Sequence, residues 1–457
     1  RAYPDGSRVL FNASGLMTAA IDRLGRQTTF QYGGSDGFHL VSITEPMRSS
    51  GSSTSAPYLA LSYDGNGRLA GITETGGANG RTTNVTVDAN GYLTRITDPD
   101  GGYDSYGYDG SGRLHTITDR RGNTTTYNYD TAWKLSQIVS PSVPLDAGGG
   151  STTTGIPTTS LSSWQAVGVP SDTTAITPAQ LTPPSSVVAH IISPTNDTTT
   201  ITPDRWGQVL SEVDPIGHTT TVERSGIFAT VLHHPNGSVD SASYSNGLIT
   251  AVREAGHSTV HIRYGVFAQS DSTWGGGRAG ERIFLNSSNG NADSVRHVGP
   301  TPNVLRYTYD ALGRVLSVRD EAGHTTHYGY DAVWGNADSV TNAVGSIVHA
   351  ILDSHGRTAS YIDGVDSSVT FAYDSLNRQI AVYQGGSGTT VQTVFDGLLP
   401  TTVIDRNSNH TTTHYNALGW ATDRCDPTGH CTYYRYDASG RLTSGTNRRG
   451  QRIDRTY

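Results

Sequence analysis

The stretch YDALGRVLSVRDEAGHTTHYGYD runs from Tyr309 to Asp331 and both begins and ends on the pair Tyr-Asp. Its glycines, Gly313 and Gly323, lie ten residues apart, and each closes a short polar cluster. In such a cluster Asp bonds to the backbone downstream, and Gly supplies the positive φ that closes a turn. The segments between the glycines are rich in Val, Thr and Tyr, which is typical of strands. The stretch therefore predicts a β-hairpin with a turn at each glycine.

The same unit recurs along the chain with a spacing of 21 residues between tyrosines, as from Tyr108 to Tyr129 and from Tyr436 to Tyr457. It reads Tyr-Asp-x-x-Gly-Arg-Leu, four residues, then Asp-x-x-Gly-x-x-Thr-x-Tyr-x-Tyr. We assign a structural role to the repeat residues of the three clearest copies: Tyr108, Asp109, Gly112, Arg113, Gly122, Tyr309, Asp310, Gly313, Arg314, Gly323, Tyr330, Asp331, Tyr436, Asp437, Gly440 and Arg441.

A single hairpin is only marginally stable in water, so we expect the hairpins to stack side by side. The expected fold is all-β, a continuous antiparallel ribbon that must twist and coil round a space. Since tyrosine recurs at one register, its rings should stack between neighbouring repeats, contributing about 0.5–1.5 kcal/mol each. About 17 units at two strand spacings each give roughly 170 Å of ribbon. That length would close one ring at most, so we expect an open piece.

Composition excludes several classes of function. The 457 residues carry a net charge of −8, spread evenly and without a basic stripe, which argues against a nucleic-acid platform. No run of 18 apolar residues exists, so no membrane span is expected. The chain opens on RAYPDG, without Met or a signal peptide, and we interpret it as a fragment of a longer polypeptide.

The repeat pattern is interrupted between residues 141 and 200, where Ser, Thr, Pro and Gly dominate. Proline at this density blocks ladder hydrogen bonds, so we expect a long loop or linker anchored by Trp164, Val167 and Val169. The alternative is a strap or plug inside a shell. The resulting division is repeats over 1–140, the insertion over 141–200, degenerate repeats with irregular loops over 201–303, and repeats over 304–457.

The only two cysteines, Cys425 and Cys431, flank the turn DPTG. They occupy the positions of Thr118 and Thr124 in an earlier repeat, which should face each other across a hairpin. A cross-strand disulfide is geometrically possible and would indicate an oxidising compartment. Two free thiols are the alternative. A zinc site from these cysteines and His430 would lack a fourth ligand.

No pattern points to catalysis. Nucleophile-elbow, phosphate-loop, HExxH and paired CxxC motifs are absent from the sequence, so we expect no enzyme activity, no cofactor and no metal. DGNG at 64–67 and DANG at 88–91 lack the closing Glu of a calcium loop and are interpreted as turns. The histidines with a candidate role lie mostly at turn positions or could cluster in space: His218, His233, His234, His324, His410, His414 and His430.

The opening stretch, together with YDGNGRLAGIT at 63–73, YDGSGRLHTITDRRGNTTTYNYD at 108–130 and YDASGRLTSGTNRRGQRIDRTY at 436–457, resembles RHS/YD repeats. The resemblance covers 1–140 and 200–457. In that family the repeats wind as a β-ribbon into a hollow shell. The shell encloses a toxic C-terminal domain in bacterial RHS effectors and insecticidal toxin complexes, and a related shell serves cell adhesion in teneurins.

The resemblance implies a shell segment of a secreted or cell-surface bacterial protein. Its implied partner is a C-terminal toxin or other cargo domain of the same polypeptide, beyond Tyr457. Family shells usually continue into a self-cleaving aspartyl-protease segment built on Asp-Pro-x-Gly and a hydrophobic residue. In this chain Asp98, Asp214 and Asp426 begin that motif, but no hydrophobic residue follows it, so we interpret all three as repeat turns.

Two other functions remain open from the sequence. The first is a cell-surface adhesion or scaffold protein, teneurin-like or wall-associated, whose partner is a glycan or a protein. The second is an enzyme acting on polysaccharide, which would need a carboxylate cluster in a groove. No such constellation stands out.

Overall fold

The computed structural model describes residues 1–45, 58–75, 80–162, 188–204, 207–265, 268–275, 281–285, 291–297, 303–332, 334–363, 368–384 and 389–457. Within these ranges the regular structure is antiparallel β-strand, without an α-helix, which confirms the all-β prediction. Among the described residues, no helix has the length and apolar character that a membrane crossing requires.

The first sheet begins near the N-terminus and continues past residue 270. Its strands are β1 (Arg8–Phe11), β2 (Met17–Ile21), β3 (Gln27–Gly33), β4 (His39–Thr44), β5 (Tyr58–Tyr63), β6 (Leu69–Thr75), β7 (Arg81–Val87), β8 (Leu93–Thr97), β9 (Tyr103–Tyr108), β10 (Leu114–Thr118), β11 (Thr124–Tyr129), β12 (Leu135–Val139), β15 (Thr158–Ser162), β16 (Ala189–Ile192), β17 (Thr198–Pro203), β18 (Val209–Val213), β19 (Thr219–Ser225), β20 (Phe228–His233), β21 (Val239–Ser245), β22 (Leu248–Arg253), β23 (Val260–Tyr264) and β24 (Ser270–Gly275). A separate hairpin consists of β13 (Val143–Gly148) and β14 (Ser151–Gly155).

The second sheet runs to the end of the chain. Its strands are β25 (Glu281–Leu285), β26 (Ala292–His297), β27 (Asn303–Tyr309), β28 (Val315–Arg319), β29 (Thr325–Tyr330), β30 (Ala337–Thr341), β31 (Ile347–Leu352), β32 (Thr358–Ile362), β33 (Ser368–Tyr373), β34 (Gln379–Gln384), β35 (Thr389–Asp396), β36 (Leu399–Ile404), β37 (His410–Tyr415), β38 (Ala421–Cys425), β39 (Cys431–Tyr436), β40 (Leu442–Thr446) and β41 (Arg452–Asp454).

Within each large sheet, every strand except at the step from β12 to β15 pairs with the next in sequence, so the chain forms a ribbon of hairpins. The first sheet continues from β12 directly to β15, because Gln137 pairs with Ser160 and the separate hairpin is left out of the ladder. Strand β24 lies beside β25, which brings the two sheets together.

Every repeat has two turns, and the two kinds lie on opposite edges of the ribbon. In the opening stretch the N–H of Gly313 donates to the carbonyl of Asp310 at 3.0 Å, and the Asp310 carboxylate accepts the N–H groups of Leu312 and Arg314 at 2.9 Å. Gly313 has φ of 75°, so the turn needs a residue that adopts the left-handed region. We call the edge of these Tyr-Asp turns the first-turn edge and the opposite one the second-turn edge.

The ribbon winds back on itself, because its second-turn edge over residues 22–197 lies against its first-turn edge over 291–441. We call this contact the seam. The turn at 22–25 faces the turn at 310–313, and 23 ladder strands lie between them along the ribbon. The turn at 119–122 faces the turn at 416–419, with 25 ladder strands between them. One turn therefore measures about 110–120 Å along the ribbon, and its mean diameter is about 35–40 Å.

The expectation of an open piece of ribbon, long enough for one ring at most, holds only in part. The two sheets do not close into a barrel, but the chain makes more than one turn. The cause is tight coiling, since one turn uses fewer strands than the chain contains.

The segment expected to be an insertion is only partly outside the ribbon. Strands β15 and β16 pair within the sheet, whereas β13 and β14 leave it and lie beside β39 of the later turn. Val143 in β13 is 1 % exposed, so this hairpin forms part of a small core. The anticipated anchors Trp164, Val167 and Val169 lie outside the described residues.

Candidate functional site

The wall of the ribbon is held by a repeated contact between Asp, Arg and Tyr. Arg314 donates from Nε to Asp310 at 2.6 Å, and its guanidinium carbon lies 4.4 Å from the ring centroid of Tyr330 in the next repeat. The hydroxyl of Tyr330 donates to the carbonyl oxygen of Val315 at 2.6 Å. Because these contacts join consecutive hairpins, we call the arrangement the latch.

The latch recurs wherever the repeat sequence is well kept. Arg113 lies 4.7 Å from the ring centroid of Tyr129, whose hydroxyl donates to Leu114 at 2.7 Å. The same pairing of arginine with an aromatic ring about 16 residues later joins Arg357 to Tyr373, Arg378 to Phe395 and Arg441 to Tyr457. The contact is therefore a property of the repeat and not of one hairpin.

The main partner of the tyrosine ring is an arginine, which differs from the expected stacking between tyrosines. Tyrosines of neighbouring repeats stack at Tyr92 and Tyr108, with centroids 4.7 Å apart, because Tyr92 occupies the arginine position. Trp420 takes the same position beside Tyr436, at 5.4 Å. The recurring 16-residue spacing from Arg to Tyr was present in the sequence, but by itself it did not show whether the ring contacts an arginine or another tyrosine.

The latch is also an electrostatic arrangement. The backbone N–H of Arg113, with the guanidinium of the same residue, holds the pKa of the Asp109 carboxyl below its ordinary value. Burial raises the pKa of the Tyr330 hydroxyl. The Asp109 carboxyl therefore stays charged at neutral pH, which maintains its ion pair with Arg113.

The other repeat residues singled out in the sequence lie at corresponding places. Tyr309 donates from its hydroxyl to the carbonyl of Ala292, and Asp437 accepts from Arg441 at 2.6 Å. Asp331 accepts the N–H of Trp334 at 2.6 Å in a longer turn. The turn glycines all have positive φ: Gly112, Gly122, Gly313, Gly323 and Gly440.

The seam is polar, and arginines of the second-turn edge reach across it. Arg121 donates from both terminal nitrogens to the carbonyl of Asn416, at 3.1 and 3.2 Å, and its Nε lies 3.3 Å from Asp396. Arg23 donates to the amide oxygen of Asn291 at 2.8 Å. Asn291 and Asn416 are each 7 % exposed, so the seam buries polar side chains.

A second group of seam contacts lies farther along the ribbon. The hydroxyl oxygens of Thr195 and Ser439 are 2.8 Å apart, across 244 residues of sequence. Arg441 pairs with Asp197 at 3.1 Å while it also bonds Asp437 in its own turn. The latch of the later turn thus contributes directly to the seam, and sequence repeats alone gave no signal for these long-range partners.

Gaps remain between the two turns at the seam. One cavity of about 580 Å³ is lined by Arg8, Arg26 and Glu45 from the earlier turn and by Arg314 and Trp334 from the later one. Another of about 400 Å³ lies beside Arg121. The first has charged residues on both sides, whereas the second has charged residues of the earlier turn facing Leu398, Leu399 and Leu418 of the later one.

Cys425 and Cys431 are directly opposed on β38 and β39 and are joined by a disulfide. Thr118 and Thr124 are opposed in the same way, with their hydroxyl oxygens 2.8 Å apart. The zinc set considered from sequence would need the sulfurs as thiolates. His430 Nδ1 lies 2.7 Å from the hydroxyl oxygen of Thr428, within its own turn.

Five of the other candidate histidines each lie beside an acidic residue. His218 and His324 each lie near the aspartate of their own turn, 3.1 Å from Asp214 and 3.2 Å from Asp320. His233 and His234 have different acidic partners, Glu223 and Asp240, at 2.8 Å each. His414 lies 2.6 Å from Asp423, a contact that the sequence did not indicate.

The suspected calcium and cleavage motifs are turns of the repeat. Asp64 accepts the N–H groups of Asn66 and Arg68 at 2.8 and 2.9 Å. Asp98, Asp214 and Asp426 each accept, at the backbone carbonyl, the N–H of the glycine three residues later.

This fold and its seam define a shell segment built from β-hairpin repeats. An RHS repeat model matches residues 304–347 and 415–452, and a Teneurin YD-shell model matches residues 52–144. These segments therefore carry RHS/YD repeats, which confirms the resemblance seen in the sequence. No curated protein matches the chain by sequence.

Several solved structures share the fold at low sequence identity. TcdB2-TccC3-TEV superimposes with a TM-score of 0.63 at 13 % identity, over 96 % of this chain and 25 % of its own. TcdB2-TccC3 gives 0.57 at 12 %, over 98 % and 33 %. The Photorhabdus luminescens Tc holotoxin pore gives 0.53 at 13 %, over 96 % and 25 %. The chain thus spans a quarter to a third of the length of these neighbours.

Proposed function

We propose that this chain forms part of a shell that encloses a toxin or other cargo domain of the same polypeptide. The observation that carries the proposal is the seam, because a ribbon whose turns rest on each other makes a continuous wall. Arg121 and Asn416 join the two turns across 295 residues of sequence. A ribbon used only as a spacer would not need its edges sealed.

The dimensions support a container. A mean diameter of about 35–40 Å, less about 10 Å for side chains on the inner face, leaves an interior about 25–30 Å across. The likeness of the fold to the Photorhabdus luminescens Tc holotoxin pore is consistent with this use. A space of this width accommodates a small or partly unfolded domain.

The test uses the full-length polypeptide that contains this segment and its C-terminal domain. Limited proteolysis should leave the C-terminal domain intact in the wild-type protein. Opening the seam with Arg121→Ala and Arg441→Ala should make that domain digestible. The matched control is Arg449→Ala, which lies at an exposed turn. Digestion of the C-terminal domain at the same rate in all three proteins would overturn the proposal.

A surface scaffold is the second candidate, and the match of residues 52–144 to the Teneurin YD-shell model favours it. In that case the shell would present its outer face to a glycan or protein on another cell. Binding of the purified shell to cells or to a glycan array, with no protected C-terminal domain, would select this function.

A further inference from the structure

A group of metal-binding side chains lies on one face of the strands β37, β38 and β39. His414 is directly opposite Asp423, and Cys425 is directly opposite Cys431. Asp423 and Cys425 are two residues apart on β38, and alternate residues of a strand share a face. The register therefore places all four side chains on the same face of the sheet.

The distances between these groups suit a single ion. Nδ1 of His414 lies 2.6 Å from the carboxylate of Asp423, and the sulfur of Cys425 lies 3.5 Å from the same oxygen. The candidate ligand atoms of these three residues all lie within 4.8 Å of one another. A tetrahedral zinc ion with bonds of about 2.0–2.3 Å needs ligands about 3.3–3.8 Å apart, so small side-chain rotations suffice.

The disulfide determines how many ligands are available. While Cys425 and Cys431 are bonded to each other, two of these four residues, His414 and Asp423, offer ligand atoms, which is too few for a structural zinc site. Reduction would supply two thiols at the same place. The set would then be two sulfurs, one imidazole and one carboxylate, all of them ordinary zinc ligands.

We propose that reduction of the Cys425–Cys431 disulfide creates a zinc site from Cys425, Cys431, His414 and Asp423. A dithiol reductant, such as those of a reducing compartment, breaks the S–S bond by transferring two electrons and two protons and becomes a disulfide itself. Zn²⁺ then replaces the two thiol protons, which pass to solvent. The shell would in this way exchange a covalent bridge for a metal bridge when it moves from an oxidising to a reducing environment.

The proposed ligands include His414 and Asp423 in place of the His430 considered from sequence alone. That set used His430, which follows the turn glycine and contacts Thr428 and Asp426 of its own turn. His414 lies on β37, the strand before β38, 16 residues before His430 in sequence. The two histidines therefore provide a matched pair for a test, since both side chains are 65 % exposed.

The experiment is titration of the purified chain with Co²⁺ and then Zn²⁺, with and without prior reduction by a phosphine. The phosphine takes its oxygen from water, and the two protons of that water end on the sulfurs. We expect the reduced protein to bind one ion with thiolate-to-cobalt charge-transfer absorption, and the oxidised protein to show none. His414→Ala should weaken zinc binding at least about tenfold, as should Asp423→Asn, since even outer-shell losses cost about that much.

The controls separate loss of ligands from loss of fold. His430→Ala should bind as the wild type does, and Cys425→Ser with Cys431→Ser should abolish the charge-transfer band. Circular dichroism of each variant checks that the sheet is retained. The proposal is overturned if the reduced wild type shows no thiolate-cobalt band, if oxidised protein binds equally well, or if His430→Ala loses affinity while His414→Ala keeps it.

Discussion

The guanidinium of Arg314 lies over the ring of Tyr330, 4.4 Å from its centroid, while the Tyr330 hydroxyl donates to the residue that follows the arginine, Val315. The tyrosine thus contacts the preceding hairpin with both its ring and its hydroxyl. Such a double contact explains why tyrosine recurs at this position in most repeats, whereas Phe395 keeps only the ring contact with Arg378.

Substitutions at Tyr330 should separate the stability contributed by its hydroxyl hydrogen bond from that contributed by its ring. Tyr330→Phe removes the hydrogen bond and should lower the free energy of unfolding by about 1 kcal/mol. Tyr330→Ala also removes the ring and should lower it by about 1–3 kcal/mol. Urea denaturation measures both. The control is Tyr433→Phe, because Tyr433 is 43 % exposed and its hydroxyl bonds to no described residue. Equal stability of Tyr330→Ala and wild type would contradict the latch.

Arginine should be irreplaceable by lysine in the latch. Arg357 donates to Asp353 at 2.7 Å and to Asn377 at 2.9 Å, and it covers the ring of Tyr373. A lysine keeps the charge but not the planar group, so Arg357→Lys should cost about 1–2 kcal/mol. Arg449→Lys, at an exposed turn, should change the free energy of unfolding by less than about 0.5 kcal/mol. Similar denaturation midpoints for the two variants would show that charge alone suffices.

Substitutions at two equivalent turn positions should change the stability of the protein in opposite directions. Ser408 has φ of 61° at a turn position that glycine usually occupies, so Ser408→Gly should stabilise by about 0.5–1 kcal/mol. Gly429 occupies the equivalent position one repeat later, with φ of 84° and no heavy atom within 4 Å of an added methyl group. Gly429→Ala should therefore destabilise by about 1 kcal/mol through backbone strain alone. A melting temperature that shifts in the same direction in both variants would refute this explanation.

Acid should weaken the turns. The hydroxyl of Thr428 and the backbone N–H groups of the turn lower the pKa of Asp426 to about 2. Since the folded pKa lies below the unfolded value of about 3.9, this contribution to stability is present above pH 4 and is lost as pH falls toward 2. Melting temperatures measured across this window should fall less for Asp426→Asn than for wild type. Asn416 accepts the same backbone bonds in its turn, so the variant should fold.

Much of the local structure could be predicted from the sequence, because the information for a hairpin is contained within one repeat. The turns at Gly313 and Gly323 and the strands between them follow from spacing and residue type. The pairing of Arg314 with Tyr330 was also present as a fixed spacing, but the ring of one tyrosine was expected to contact another. Aromatic recurrence alone does not distinguish a ring partner from a guanidinium partner.

The seam could not be predicted in this way. Arg121 and Asn416 are 295 residues apart, and their contact depends on the sum of the small twists between many successive strands. Strands β15 and β16 were missed for a different reason, because the Pro-rich composition of residues 141–200 suggested only a loop. His414 and Asp423 were missed because their pairing depends on strand register after the first-turn bulge at His414 and Tyr415.

The most direct test of the winding is a cross-link across the seam. Thr195 and Ser439 have hydroxyl oxygens 2.8 Å apart, so cysteines at both positions are within reach of a disulfide. Thr195→Cys and Ser439→Cys would be combined in a chain with Cys425→Ser and Cys431→Ser, oxidised while dilute, and digested for mass spectrometry. A wound ribbon predicts an intramolecular peptide pair that joins residues 195 and 439 in high yield. Absence of that pair in a folded, monomeric protein would contradict the winding and, with it, the shell.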